Sequence, residues 1–311
     1  IERGNKMIAF FANIFGYVLN FIYNLVKNYG VAIIIFSVLV KLLMIPISIK
    51  QQKTMKKSTK IQKKMKEIQF KYKNNPEQLN QATMELYKSE NMSPFSGCFS
   101  AIAQIILLFA VFYLVRSPLT YMKKIDGDVV DKYAKIIREN DLSTNSAYPQ
   151  IEIIREIDNI RNLRNNINDN EEQKADLSEI NDDELDSLYI NMDFLGLNLA
   201  QVPTRSSDWK AYIIPVLYVL VSIISMRITN PTTKKQEKPE ENADEKSLTK
   251  PEDDFDPMAQ MNKNMNMMFP IMYVAVALVA PLGLALYWLM NSLLMIIERL
   301  LLNKLLKDEE E

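Results

Sequence analysis

The stretch VAIIIFSVLVKLLMIPISIK, residues 31–50, holds one charge, Lys41, ahead of the Lys50 that closes it. A run of that length and character is about what a helix needs to cross a ~30 Å hydrocarbon core. Three more windows share it. Ser93 to Val115 is uncharged and lies between Glu90 and Arg116. Ala211 to Met226 is shorter and recruits Trp209 and Arg227 at the interface. Asn264 to Ile297 runs for 34 uncharged residues, about 50 Å as one helix and too long for one passage. Pro281 and Gly283 near its middle break it into two passages joined by a tight turn. Four windows therefore predict five crossings. One long kinked helix is the alternative, and it would put the C-terminus on the opposite side.

Composition removes the commonest chemistries. The 311 residues include no histidine, so there is no Ser-His-Asp triad, imidazole base or histidine-ligated zinc. Seven glycines, none in a Gly-rich run, leave no phosphate cradle. Cys98 is alone, so an intrachain disulfide or a cysteine metal cluster is excluded. No enzyme activity, cofactor or metal is expected.

A net charge of −1 conceals two opposed blocks. Lys50 to Glu90 carries eleven lysines and four glutamates, a net of +7, while Ser117 to Lys210 carries eleven basic and nineteen acidic residues, a net of −8. The positive-inside rule places the basic block in the cytoplasm, since eight of its lysines fall between Lys50 and Lys66, next to the first crossing. The acidic block is then extracellular, the N-terminus outside and the C-terminus inside. The order predicted is an interfacial helix at 1–27, crossings at 28–49, 93–116, 211–228, 264–281 and 282–302, a cytoplasmic hairpin at 50–92, and an outer segment at 117–210. A cytoplasmic loop at 229–263, rich in Glu, Asp, Lys and Pro and disordered by composition, and a tail at 303–311 complete it.

The N-terminal stretch is apolar but striped: Asn13, Gly16, Asn20, Asn24 and Lys27 recur at spacings of three and four. An amphipathic helix lying in the interface explains the stripe better than a spanning one. The chain opens on Ile1 rather than methionine, so an upstream segment, a signal by its place, is expected. In the basic block, Ile61, Met65, Ile68 and Tyr72 share one helical face and Leu79, Ala82 and Leu86 another, with the turn signal Asn74-Asn75-Pro76 between them. Such a hairpin either anchors on anionic lipid or docks an acidic partner such as ribosomal RNA or a targeting complex.

Lys41 stands near mid-bilayer, where a lysine costs about 2.5–3.5 kcal/mol. Snorkelling from there is difficult because the side chain reaches about 6 Å, and the cores of the other crossings offer no acidic partner. A wet cavity is therefore expected, lined also by Gln104, Ser222, Ser225, Tyr287, Trp288 and Asn291. For the serines, packing glue between helices is the plainer reading.

The strings VLVKLLMIPISIKQQKTM (38–55), SPFSGCFSAIAQ (93–104) and MMFPIMYVAVALVAPLGLALYW (267–288), in this order around a basic hairpin and a long outer loop, resemble the YidC family of membrane protein insertases. The likeness covers Asn28 to Arg116 and Phe194 to Leu302. It implies an all-α polytopic membrane protein with five transmembrane helices around a hydrophilic groove, open to the cytoplasm and to lipid and closed outside. The family's groove arginine falls on Lys41, its second-crossing glutamine on Gln104, and its aromatic pair on Tyr287 and Trp288. The function implied is insertion and folding of newly made membrane proteins without hydrolysis. The partners implied are nascent membrane proteins, the ribosome, a targeting complex, the SecY translocon and anionic lipids, and not DNA.

The chain also departs from that pattern. Lys41 replaces the usual arginine and gives up a planar fork and a permanent charge. Ser100 and Ile106 stand where many members have proline, Ser225 lies near a common glutamine, and the outer segment is far longer than in Gram-positive members. In that segment, stretches at Ile136–Asn140 and Ile151–Leu163 read as helical, and a solvated cap is preferred over a docking surface. A small secondary transporter would show repeats and more crossings. An assembly scaffold is harder to separate, since it uses the same groove.

Overall fold

The computed structural model describes residues 2–72, 75–90, 96–142, 147–165, 177, 180–229 and 274–308, apart from the side chains of 2–5, 55–56, 58–60, 62–63, 66, 96–104, 229 and 306–308. The architecture is that of an all-α polytopic membrane protein. Helices α1 (Glu2–Val26), α2 (Tyr29–Lys71), α3 (Pro76–Ser89) and α4 (Ser96–Arg116) form the N-terminal half. The outer segment follows with α5 (Pro118–Tyr121), α6 (Gly127–Glu139), α7 (Pro149–Asn165) and α8 (Asp182–Leu188). It ends in a two-residue hairpin of β1 (Asp193–Phe194) and β2 (Leu197–Asn198) and two short 3-10 turns. Helix α9 (Ile213–Thr229), a helical stretch over 274–279 and α10 (Leu282–Asp308) complete the chain.

Four stretches among the described residues are long and apolar enough to cross a membrane: Lys6–Val26, Tyr29–Thr54, Trp209–Ile228 and Leu282–Leu305. Helix α4 spans 21 residues, and its apolar described part is Ile105–Arg116. Of the crossing expected at 264–281, 274–279 is described as helix and 280–281 as the bend that follows it; 264–273, and the loop at 229–263 beyond Thr229, lie outside the described residues. The chain breaks at Pro281 as the sequence predicts, because proline lacks the N–H that would continue the helix. The freed donors at the start of α10 then find partners in the outer segment. Leu282 N–H donates to Gln201 O at 2.8 Å and Gly283 N–H to Leu199 O at 2.9 Å. The turn at Pro281 and the acidic segment therefore sit at one end of the bundle.

The same end holds the turn between α1 and α2. Asn28 caps α2 by accepting from Val31 N–H, and its Nδ2 donates to Asp193 O at 2.6 Å. Tyr29 N–H donates to Asn191 O, and Asn191 N–H to the Tyr23 hydroxyl. Gly30 lies under the Phe194 ring, where a Cβ would come within 2.5 Å of it.

Helix α2 runs unbroken through the boundary expected at 49/50, with Pro46 inside it. The basic hairpin is thus a rigid extension of the first crossing. Helix α3 folds back on it with Asn75 as N-cap and Pro76 in the first turn. Ile61 and Leu86 are buried between the two, and Lys64 pairs with Glu90 at 2.5 Å.

Helix α1 packs along α2, α4 and α5. Its polar stripe meets the start of the outer segment. Lys124 Nζ donates to Asn13 Oδ1 at 2.7 Å and lies 4.1 Å from the Tyr17 ring centre, while Lys123 lies over Tyr23. Burial lowers the pKa of both lysines, with Lys27 adding repulsion at Lys123. Phe10, Phe21 and Leu25 remain exposed beside the stripe.

The outer helices expected at Ile136–Asn140 and Ile151–Leu163 are parts of α6 and α7. They pack with α8 around Tyr133, Ile153, Ile157, Ile160 and Leu185, and this core is continuous with that of the membrane helices. Tyr133 donates its hydroxyl to Glu184 at 3.1 Å, and Arg164 pairs with Asp182 at 2.8 Å.

Gly16 is pressed against the backbone of Tyr121, where a Cβ would lie 1.8 Å from the carbonyl oxygen, whereas Gly127 at the start of α6 has nothing within 4 Å. We expect Gly16→Ala to destabilise the protein by about 1–3 kcal/mol through overpacking and Gly127→Ala to be neutral or stabilising by up to about 1 kcal/mol. Unfolding midpoints of the two variants in detergent check this.

Candidate functional site

Helix α10 is the hub of the membrane region, packed on α9 along one side and on α2 along another. A helix repeats every 3.6 residues, so Tyr287, Asn291 and Glu298 share one stripe and Trp288, Ser292 and Arg299 the next.

Lys41 does not stand alone. Its Nζ lies 2.7 Å from Glu298 Oε2, with the two side chains 20% and 14% exposed. This corrects the expectation that no crossing offers an acidic partner. Glu298 falls just past the uncharged window Asn264–Ile297 and, though inside the crossing expected at 282–302, lies outside the uncharged core in which a partner was sought. The helix carries it inward instead: it lies sixteen residues after Leu282 and Lys41 twelve after Tyr29, about 24 and 18 Å from the outer ends of their helices. The two helices run in the same direction, and the lysine and glutamate side chains span the remaining offset.

A second polar clamp lies further along both helices, towards the basic hairpin. Gln52, 5% exposed, accepts from Arg299 Nη1 at 2.7 Å and donates from Nε2 to Asn303 Oδ1 at 2.6 Å. Neither Gln52 nor Arg299 was expected at the site. Their signal is helical: Arg299 directly follows Glu298, and Gln52 lies eleven residues after Lys41 on the same face of α2.

The remaining expected residues divide. Ser222 and Ser292 approach to 3.4 Å between their hydroxyls in the buried α9–α10 contact, and the Tyr218 and Trp288 rings pack at 5.8 Å one turn outward. Ser222 thus serves as packing glue, the plainer reading of the sequence. Ser225, on the same face, is buried, and its hydroxyl has no partner among the described residues. Tyr287 is 4% exposed, and Asn291 is partly exposed on the stripe that leads to Glu298. Gln104 lies on α4, and its side chain falls outside the described residues. The geometry thus joins Lys41 to the Tyr287–Asn291–Glu298 stripe and sets Ser222, Ser225 and Trp288 at the neighbouring helix contact.

Chemically, this is a cation held among membrane helices by one carboxylate, with polar side chains above and below it. Among the described residues no group of three or more Cys, Asp or Glu could hold a metal ion.

Known proteins with related sequences carry one name. The chain is 39% identical over 110 residues to a protein of Caldanaerobacter subterraneus subsp. tengcongensis named membrane protein insertase YidC, covering 35% of this chain and 53% of the relative. Proteins of the same name match in Syntrophus aciditrophicus (46% over 94 residues, 30% of this chain and 17% of the relative) and in Fusobacterium nucleatum subsp. nucleatum (36% over 114 residues, 32% and 56%). The matched region is therefore between about one sixth and just over half of each relative's length. The model of the family described as 60Kd inner membrane protein matches residues 21–310. With nearly its whole length matched, the chain belongs to that family.

Proposed function

We propose that this protein inserts newly made membrane proteins into the bilayer and helps them fold, using the polar stripe between α2 and α10 as the path of a substrate's hydrophilic outer segment. The observation that carries this reading is Lys41, a lysine inside the helix bundle whose side chain remains one-fifth exposed. A charge so costly in hydrocarbon marks a substrate path more often than a packing contact.

In this reading Lys41 attracts acidic groups of the entering segment, while the partly exposed Asn291 offers hydrogen bonds along the way. A polar path shortens the dry distance that the segment must cross. Burial of the substrate's apolar helix in lipid supplies the drive, and the membrane potential assists by about 2.3 kcal/mol per charge per 100 mV. No covalent bond is made or broken. The path opens to the cytoplasm and sideways to lipid. Its outer end is closed by the segment whose Leu199 and Gln201 carbonyls receive the first N–H groups of α10. The N-terminus is outside, with α1 lying along the outer leaflet, its polar stripe against Lys123 and Lys124 and its aromatic side in lipid.

The rigid α2–α3 hairpin presents its lysines in the cytoplasm to anionic lipid, to the ribosome or to a targeting complex, and the insertase works beside a SecY translocon or alone. Nascent membrane proteins are its substrates.

Cells depleted of the protein and supplied with Lys41→Glu should insert a single-span substrate with an acidic outer segment at least about fivefold less than with wild type, a change near 1 kcal/mol, and Lys41→Arg should restore insertion. Equal insertion by Lys41→Glu and wild type refutes the electrostatic role. Topology has its own check. In a Cys98→Ser background, an impermeant thiol reagent added outside should label Asn168→Cys and leave Lys60→Cys untouched.

A further inference from the structure

At rest Lys41 is already occupied. The Glu298 carboxylate sits at 2.7 Å, the place that an acidic group of a substrate would have to take. We infer that Glu298 is an internal competitor for Lys41: it holds the cation until a more acidic segment displaces it, and so sets how acidic an outer segment must be to engage. This rests on the insertion reading above.

Three features make the pair exchangeable rather than a fixed strut. Both side chains retain some exposure, 20% for Lys41 and 14% for Glu298. Glu298 is also only half satisfied among the described residues, where its Oε1 is buried without a hydrogen-bond partner. A buried acceptor left unpaired weakens the hold of the state that contains it. An ammonium, for its part, has three donors, so Lys41 Nζ is able to bridge the outgoing and incoming carboxylates during the exchange and never stands bare.

Opening the pair need not separate the helices. The Gln52 clamp to Arg299 and Asn303 holds α2 against α10 towards the cytoplasm without using either charge of the pair. At the other end the Leu282 and Gly283 contacts with Gln201 and Leu199 anchor α10 independently. The exchange is thus a local event between two fixed helices. Glu298 acts through Lys41 and is a positioning and selectivity residue.

The test uses the full chain reconstituted in vesicles of phosphatidylethanolamine and phosphatidylglycerol. The substrate is a single-span protein whose outer segment carries none, one, two or three aspartates, scored by protease protection. With wild type, insertion should rise with aspartate number. Glu298→Gln keeps an acceptor for Nζ and removes the competing charge. It should raise insertion of the one-aspartate substrate about fivefold, the scale of one partly screened ion pair, and flatten the dependence on aspartate number. Glu298→Asp, which retains the charge on a shorter arm, should shift the dependence the same way by less, and it serves where the glutamine variant does not fold. An unchanged aspartate dependence in the folded variant, or a loss of insertion equal for all four substrates, overturns the inference. Lys41→Ala separates the two levels: if it abolishes the aspartate dependence while Glu298→Gln leaves it intact, the insertion reading stands and the competitor does not. If Lys41→Ala inserts every substrate as wild type does, the electrostatic path itself fails.

Discussion

A charge pair between the first and last membrane helices is the constraint around which the membrane region is arranged. Alone at its depth, Lys41 would cost about 2.5–3.5 kcal/mol, and Glu298 would meet a similar penalty. Brought to 2.7 Å, the two cancel in net charge and fix the rotation of α2 against α10. Such pairs are poor stabilisers, because apolar residues of the same volume usually pack as well or better, while removal of one partner costs about 3–5 kcal/mol. Helix rotation then decides which residues line the α2 side and which line the α9 side. Tyr287 and Asn291 follow Glu298, and Trp288 and Ser292 turn to Tyr218 and Ser222.

The outer segment acts on the same helices from their ends. A helix start leaves N–H groups without partners, and at α10 the outer carbonyls of Leu199 and Gln201 take the first two. Asn191 and Asp193, a few residues earlier, hold the Lys27–Tyr29 turn between α1 and α2. One stretch of chain, 191–201, thus joins the beginnings of α2 and α10, and it continues into the buried core under α6, α7 and α8. The acidic segment is therefore a structural cap on the bundle as well as a solvated surface. At the other end, the unbroken α2 carries the basic hairpin as a rigid extension of its apolar half.

Much of this was legible in the sequence because a bilayer imposes simple rules. Hydrocarbon excludes charge over a set length, so Val31–Ile49 and Ala211–Met226 announce themselves, and Pro281 cannot continue a helix. The faces of the hairpin were legible too, since Ile61 and Leu86 recur at helical spacing and both are buried. Glu298 was not. Counting uncharged residues ends the core of a crossing at the first charge, so a glutamate after Ile297 falls near the end of the crossing at 282–302 and not beside a lysine twelve residues into another helix. Ser222 was legible as a polar residue in a crossing, but its partner Ser292 lies seventy positions away and no local pattern links the two.

The sequence by itself determined the polytopic helical class, the break at Pro281 and the sign of charge carried by each connecting segment, since all of these follow from the local balance of apolar length, charge and backbone donors. Only the tertiary structure decided that Lys41 is paired, that Gln52 clamps Arg299 and Asn303, and that the outer segment caps α10. Those contacts depend on the depth and rotation of helices more than two hundred residues apart in places, quantities set by packing in three dimensions and absent from any one-dimensional pattern.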